Sequence, residues 1–162
     1  MSITTVENKF SQDFTNFFVS DFMIDKDDVN TVFDSLTKYS IKNPMIKINV
    51  INLEEDKNPR VSSFMIFNKE MLDKIEIDKW EILQKLEVDN CQIVVLNEDK
   101  LFDEQLDDWL EKCISMKELY NVSEDGKICI TSGFGPGIYR LIGQKSENEL
   151  VAIKMEFIKE TI

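Results

Sequence analysis

The chain contains a single alanine, Ala152, while Ile, Asn, Lys and Asp are plentiful. Any helix must therefore rest on Leu, Glu and Lys and on tertiary packing, because alanine propensity is not available to it. Strand signals fill the gap. Near the C-terminus three runs rich in β-branched and aromatic residues, KICITS at 127–132, GIYRLIGQ at 137–144 and LVAIKMEFI at 150–158, are joined by GFGP and by the polar KSENE. Such runs bounded by turn residues predict an antiparallel β-meander. If 141 lies opposite 153, Arg140 faces Lys154 and is diagonal to Glu156 in a surface charge cluster.

Alternation predicts further strands at MIKINVINL (45–53) and RVSSFMIF (60–67), with EEDKNP between them as a hairpin loop, and CQIVVL (91–96) reads as a buried strand. Helices are read in five places. Phe10, Phe14, Phe17, Phe18 and Phe22 predict an aromatic helix over about 9–23. Asp25 or Asp27 would cap a second helix carrying Val29, Val32, Phe33 and Leu36, ended by Asn43-Pro44. Asn68 would cap a short helix through Leu72, and Asp78 would open a helix with Trp80, Ile82, Leu83 and Leu86 on one face. The strongest helix is expected at 97–116, capped by Asn97, with Phe102, Leu106, Trp109 and Cys113 on the apolar side. Opposite them Asp103, Asp107 and Glu111, with Glu104 and Asp108 beside them, would form a carboxylate ridge.

These elements predict one α+β domain spanning 1–162, a mostly antiparallel sheet covered by helices with a C-terminal β-meander. A chain of 162 residues is long enough to bury a core without metal or disulfide staples. Cys91, Cys113 and Cys129 fit neither a disulfide framework nor a metal knuckle, so free thiols in a reducing cytoplasm are expected. The opening MSITTVENKF has no basic segment followed by an apolar run, and no stretch approaches the ~20 apolar residues of a membrane helix. No cofactor is indicated, and DKDDVNTVFDSL lacks the central glycine and final glutamate of a calcium loop.

Two compositional facts narrow the chemistry. The chain has no histidine, which removes Ser-His and Cys-His nucleophile pairs and the commonest metal ligand, so a non-enzyme is expected. Its formal charge of -12, with Arg60 and Arg140 as its arginines, makes nucleic acid or an anionic membrane an unsuitable partner and a basic protein a suitable one. Asp103, Glu104, Asp107, Asp108 and Glu111 are the candidate partner-binding residues, with the Phe-rich first segment as a second candidate surface.

The loop TSGFGPGIYR (131–140) poses the alternative. Glycines at 133, 135 and 137 do not match GxGxxG, the loop leads into strand-forming residues, and Pro136 removes an N–H that a phosphate cradle would use. It reads as a wide hairpin turn, with Pro136-Gly137 suited to the centre of a type II turn. The sequence SGFGPGIYRLIG, a polar turn and ELVAIKMEFI together resemble the C-terminal sheet of a loose set of uncharacterised bacterial proteins, several of them immunity proteins of toxin systems. Those proteins carry a Gly-x-Gly-x-Tyr turn before the penultimate strand, and usually Asp where this chain has Pro136. The resemblance spans about residues 127–158 and carries no catalytic residues. It implies an intracellular protein that neutralises a toxin by direct binding. Two other readings stand beside it: a small enzyme or nucleotide-handling domain using Arg140, Tyr139, carboxylates and the Gly-rich loop, and a phage or mobile-element inhibitor that mimics the charge of DNA.

Overall fold

The computed structural model describes residues 2–54 and 58–160. Its strands are β1 (Ser2–Lys9), β2 (Phe14–Asp21), β3 (Tyr39–Ile41), β4 (Pro44–Asn52), β5 (Arg60–Asn68), β6 (Glu81–Val88), β7 (Gln92–Leu96), β8 (Tyr120–Val122), β9 (Ile128–Thr131), β10 (Gly137–Ser146) and β11 (Glu149–Glu156). Two α-helices accompany them, α1 (Lys26–Val32) and α2 (Leu106–Ile114), with 3-10 turns at Phe33–Ser35, Lys69–Lys74 and Glu98–Phe102. The strands form two antiparallel sheets, ordered β1-β4-β5-β11-β10-β6 and β3-β2-β7-β9-β8.

The sheets pack face to face through alternate residues. Ile46, Ile48, Phe64, Ile66, Leu141, Ile153 and Met155 of the first sheet meet Phe17, Val19, Ile93, Val95, Ile128 and Ile130 of the second in one buried cluster. The opposite face of the second sheet presents Phe18, Val94, Leu96 and Cys129 to Leu106, Trp109, Leu110 and Cys113 of α2. The outer face of the first sheet is covered in part by Ile75 and Trp80, which pack on Met45, Phe67 and Ala152. Antiparallel sheet dominates, as expected, but strands take 48% of the described residues and helices, 3-10 turns included, 19%, so helices cover much less of it than the sequence suggests.

Two expected helices are strands, and both misreadings have one physical cause. In β2 the pairing to β3 shifts between Phe14 and Phe17, where Asn16 adopts φ +48°. This bulge resets the alternation, so Phe14 and Phe17 both face the inter-sheet core although three residues separate them, while Phe18 turns to the helical layer. In β6 the pairing to β10 shifts opposite Leu141/Ile142, and Leu83 is the extra residue. Leu83 and Leu86 then share the inner face at a spacing of three. An inserted residue converts the strand period of two into an i, i+3 pattern that imitates a helix.

The C-terminal meander is also split. β10 and β11 pair as expected, but β9 belongs to the other sheet, so GFGP is a crossover between layers and not a hairpin turn. Leu141 lies opposite Met155, so Ile142 faces Lys154, and Arg140 sits beside Lys85 of β6. Other readings hold in part: the second helix stops at Val32, with a 3-10 turn to Ser35, well before Asn43-Pro44, because Tyr39–Ile41 pairs with β2 as β3. β4 and β5 form the expected hairpin around a loop in which residues 55–57 lie outside the described residues. Asp25 caps α1 by accepting the Asp28 N–H, and Asn68 caps the 69–74 turn by accepting the Glu70 N–H. Among the described residues no helix is long and apolar enough to cross a membrane.

Candidate functional site

The expected helix at 97–116 is two pieces, and this reorganises the carboxylate ridge. Glu98–Phe102 is a 3-10 turn and α2 begins at Leu106. With about three residues per turn in the first piece, Leu101 turns inward and Phe102 outward. Leu106, Trp109 and Cys113 are buried as expected, whereas Phe102 is 81% exposed. Asn97 does not cap the turn, since its side chain accepts the N–H of Thr15 on β2.

Two of the five candidate carboxylates have internal duties. Asp103 lies outside the helix, accepts the Gln105 N–H at 2.8 Å and holds Lys127 at 2.8 Å. Asp107 accepts the backbone N–H of Lys26 at 2.7 Å, which ties the start of α1 to α2. Glu104, Asp108 and Glu111 are exposed and make no side-chain hydrogen bond or ion pair among the described residues. Thus the ridge is not a continuous row, and three of its members remain available.

Sequence reasoning missed the charge cluster beside it. The β8–β9 hairpin turns through Asp125-Gly126, with Gly126 at φ +93°. Asp-Gly between two apolar runs is a hairpin signal, and SEDGK carries it. The turn delivers Lys127, whose side chain is 6% exposed, to Asp103 at 2.8 Å and Asp125 at 2.6 Å. Lys100, 11% exposed, lies 3.6 Å from both Asp99 and Asp125. Burial alone would lower the Lys127 pKa, but hydrogen bonds to Asp103 and Asp125 hold it above the usual lysine value. Burial likewise opposes the charge on Asp125. Hydrogen bonds from Lys127 and Ser123, with Lys100 nearby, outweigh it and bring that carboxyl down to about 2. The Lys127 hydrogen bond, reinforced by the Gln105 N–H, also lowers Asp103.

The sign of the pH dependence follows. Depressed carboxylates stabilise the fold above their ordinary pKa, near 4, and that stabilisation is lost as pH falls through their folded values. Lys127, held high, contributes fully below the usual lysine pKa and is lost only in strong alkali. Thermal midpoints followed by circular dichroism should therefore fall as pH drops from about 4 toward about 2. Asp125→Asn should flatten that fall.

Around this cluster runs a continuous set of clefts. One, of about 310 Å³, lies between the Phe10–Phe14 loop, Asn97, Lys100 and Asp125; a neighbour of about 390 Å³ is bordered by Asp13, Glu98, Asp99 and Phe102. A third, of about 610 Å³, lies between Asp108 and Trp109 of α2 and Glu124 and Asp125 of the hairpin. Lys100 and Lys127 are already paired within it, so the exposed carboxylates outnumber the one exposed lysine of the third cleft, Lys112, and one aromatic ring is exposed on the rim. Neither the family models, the curated proteins nor the solved structures compared with the chain match it.

The Gly-rich crossover lies elsewhere and is internally bonded. Gly135 donates its N–H to Ser132 O, the Ser132 hydroxyl donates to Gly135 O, and Tyr139 OH donates to Gly135 O at 2.8 Å. Gly133 has φ +58°, and a Cβ there would come within 2.9 Å of Ile158 and 3.0 Å of Phe157. The turn is Ser132–Gly135, with positive φ at its second residue as in type II′. Gly137 opens β10 without positive φ, so the expected type II turn at Pro136-Gly137 does not form. These glycines serve a tight turn and close packing, and the Gly135 N–H that an anion would need is occupied.

Proposed function

We propose that the chain is a non-enzymatic binding protein that docks a basic protein on the acidic strip running from Asp13, Glu98 and Asp99 past Phe102 to Glu104, Asp108 and Glu111. The observation that carries this reading is Phe102, a large apolar ring 81% exposed on the rim of a cleft bordered by Asp13, Glu98 and Asp99. A buried aromatic anchor within a field of opposite charge is the usual energetic design of a protein interface. Glu104, Asp108 and Glu111, which have no partner among the described residues, would steer a cationic surface inward, and Phe102 would hold it once docked.

The partner we favour is a bacterial toxin, which the chain neutralises in the cytoplasm by covering its basic surface. The C-terminal resemblance to immunity proteins and the charge of -12 support this choice. The test is calorimetric titration of the purified chain with a basic protein that an adjacent gene encodes. The reading requires a saturable one-to-one complex whose affinity falls as salt rises, since steering between opposite charges is screened. Absence of any complex at about 100 µM of each protein, where even weak specific pairs associate, would overturn it.

A further inference from the structure

We propose that the chain forms a two-fold dimer by antiparallel pairing of β6 with β6 of a second copy, joining the two six-stranded sheets. β6 is an edge strand: β10 borders it on one side, and among the described residues no strand pairs with the other. Beyond the bulge at Leu83, the stretch from Gln84 to Val88 presents a regular row of unpaired N–H and C=O groups. Apolar surface accompanies it. Ile82 on β6 and Ile138 on β10, near opposite ends of the paired strands, are 55% and 70% exposed.

The charge pattern selects the occupant. Lys85 and Glu87 share the outer face of β6, opposite Arg140 and Ile138 of β10, while Leu86 between them faces inward. A two-fold axis through Leu86 sets Lys85 of each copy opposite Glu87 of the other, giving two favourable cross-strand pairs, with Leu86 opposite its own mate. Moving the axis by one residue sets Lys85 against Lys85 or Glu87 against Glu87. The Glu87-centred register also sets Lys85 against Asp89, but of the three only the Leu86-centred one is free of a like-charge pair. A net charge of -12 on each chain opposes association in general, and the edge itself is locally balanced.

Sedimentation equilibrium on the full chain tests this. At about 100 µM the wild type should show twice the 18.9 kDa mass of one chain. Lys85→Glu, which sets carboxylates against carboxylates at the axis, should weaken the dimer by at least about tenfold. The swap Lys85→Glu/Glu87→Lys should restore it, because the pairs are reversed but remain opposite. Both positions are solvent-exposed, and circular dichroism checks that each variant folds. A wild type of single-chain mass, a Lys85→Glu variant that associates as tightly as wild type, or a folded swap that stays dissociated would each overturn the proposal.

Discussion

Lys127→Met should lower stability by about 2–3 kcal/mol, read as a fall of about 4–10 °C in the thermal midpoint for a domain of this size. The methionine fills most of the same volume, so the loss measures charge and not a cavity. Lys127 is 6% exposed and sits between Asp103 and Asp125, which repel each other once it is gone. Removing one partner of a fully buried pair costs about 3–5 kcal/mol, and the smaller figure allows for the partial exposure of Asp125 to solvent. The two carboxylates also lock separate elements, the start of α2 and the β8–β9 turn, so local opening of the acidic end accompanies the loss. Glu124→Ala, at an exposed neighbour with no side-chain partner among the described residues, should stay within about 0.5 kcal/mol of wild type. Equal effects of the two substitutions would contradict the assigned role of Lys127.

Phe17→Ala should cost about 3–5 kcal/mol, the range for deleting a ring from a close-packed core. Phe17 is fully buried between the sheets, with Phe14 5.6 Å and Tyr39 5.8 Å away between ring centroids. Phe102→Ala removes the same atoms from an exposed position and should change folding stability by less than about 0.5 kcal/mol. Urea unfolding of the two variants, compared at equal slope, makes the contrast directly. A Phe102→Ala cost comparable with that of Phe17→Ala would show that Phe102 packs inside the fold, and its role as an interface anchor would fall with it.

The same pair of residues shows what the sequence makes legible and what it hides. β4 is readable from its alternation and β7 from its continuous apolar run, while β5 and β11 stay readable although each carries an extra residue, Ser62 and Val151, because that residue lies near one end and the rest of the run still alternates. β2 and β6 are not, since in each the bulge falls among the large apolar residues that carry the pattern, and a bulge is fixed by pairing to a neighbouring strand and not by local residue preference. Assignment of β9 to the second sheet is hidden for a similar reason: residues 128–131 satisfy any apolar slot, and only the packed layers decide which. At the candidate site, the acidity of 97–111 is plain in the sequence. The phase change between a 3-10 turn and α2 is not, and it both exposes Phe102 and diverts Asp103 to Lys127. Lys127 itself comes from a hairpin 24 residues away. The Asp-Gly signal locates that turn, although nothing in it names the partner carboxylates.

Binding at the acidic strip around Phe102 is tested most directly by reversing charge on it. Asp108→Lys on the strip and Asp73→Lys, in the turn on the opposite side of the molecule, change the net charge equally. Affinity for a basic protein that an adjacent gene encodes is measured for both by calorimetry. The account predicts that Asp108→Lys weakens binding by about tenfold or more, while Asp73→Lys leaves it within about twofold. Equal weakening by the two substitutions would mean that only overall charge matters, and would contradict a docking site at this strip.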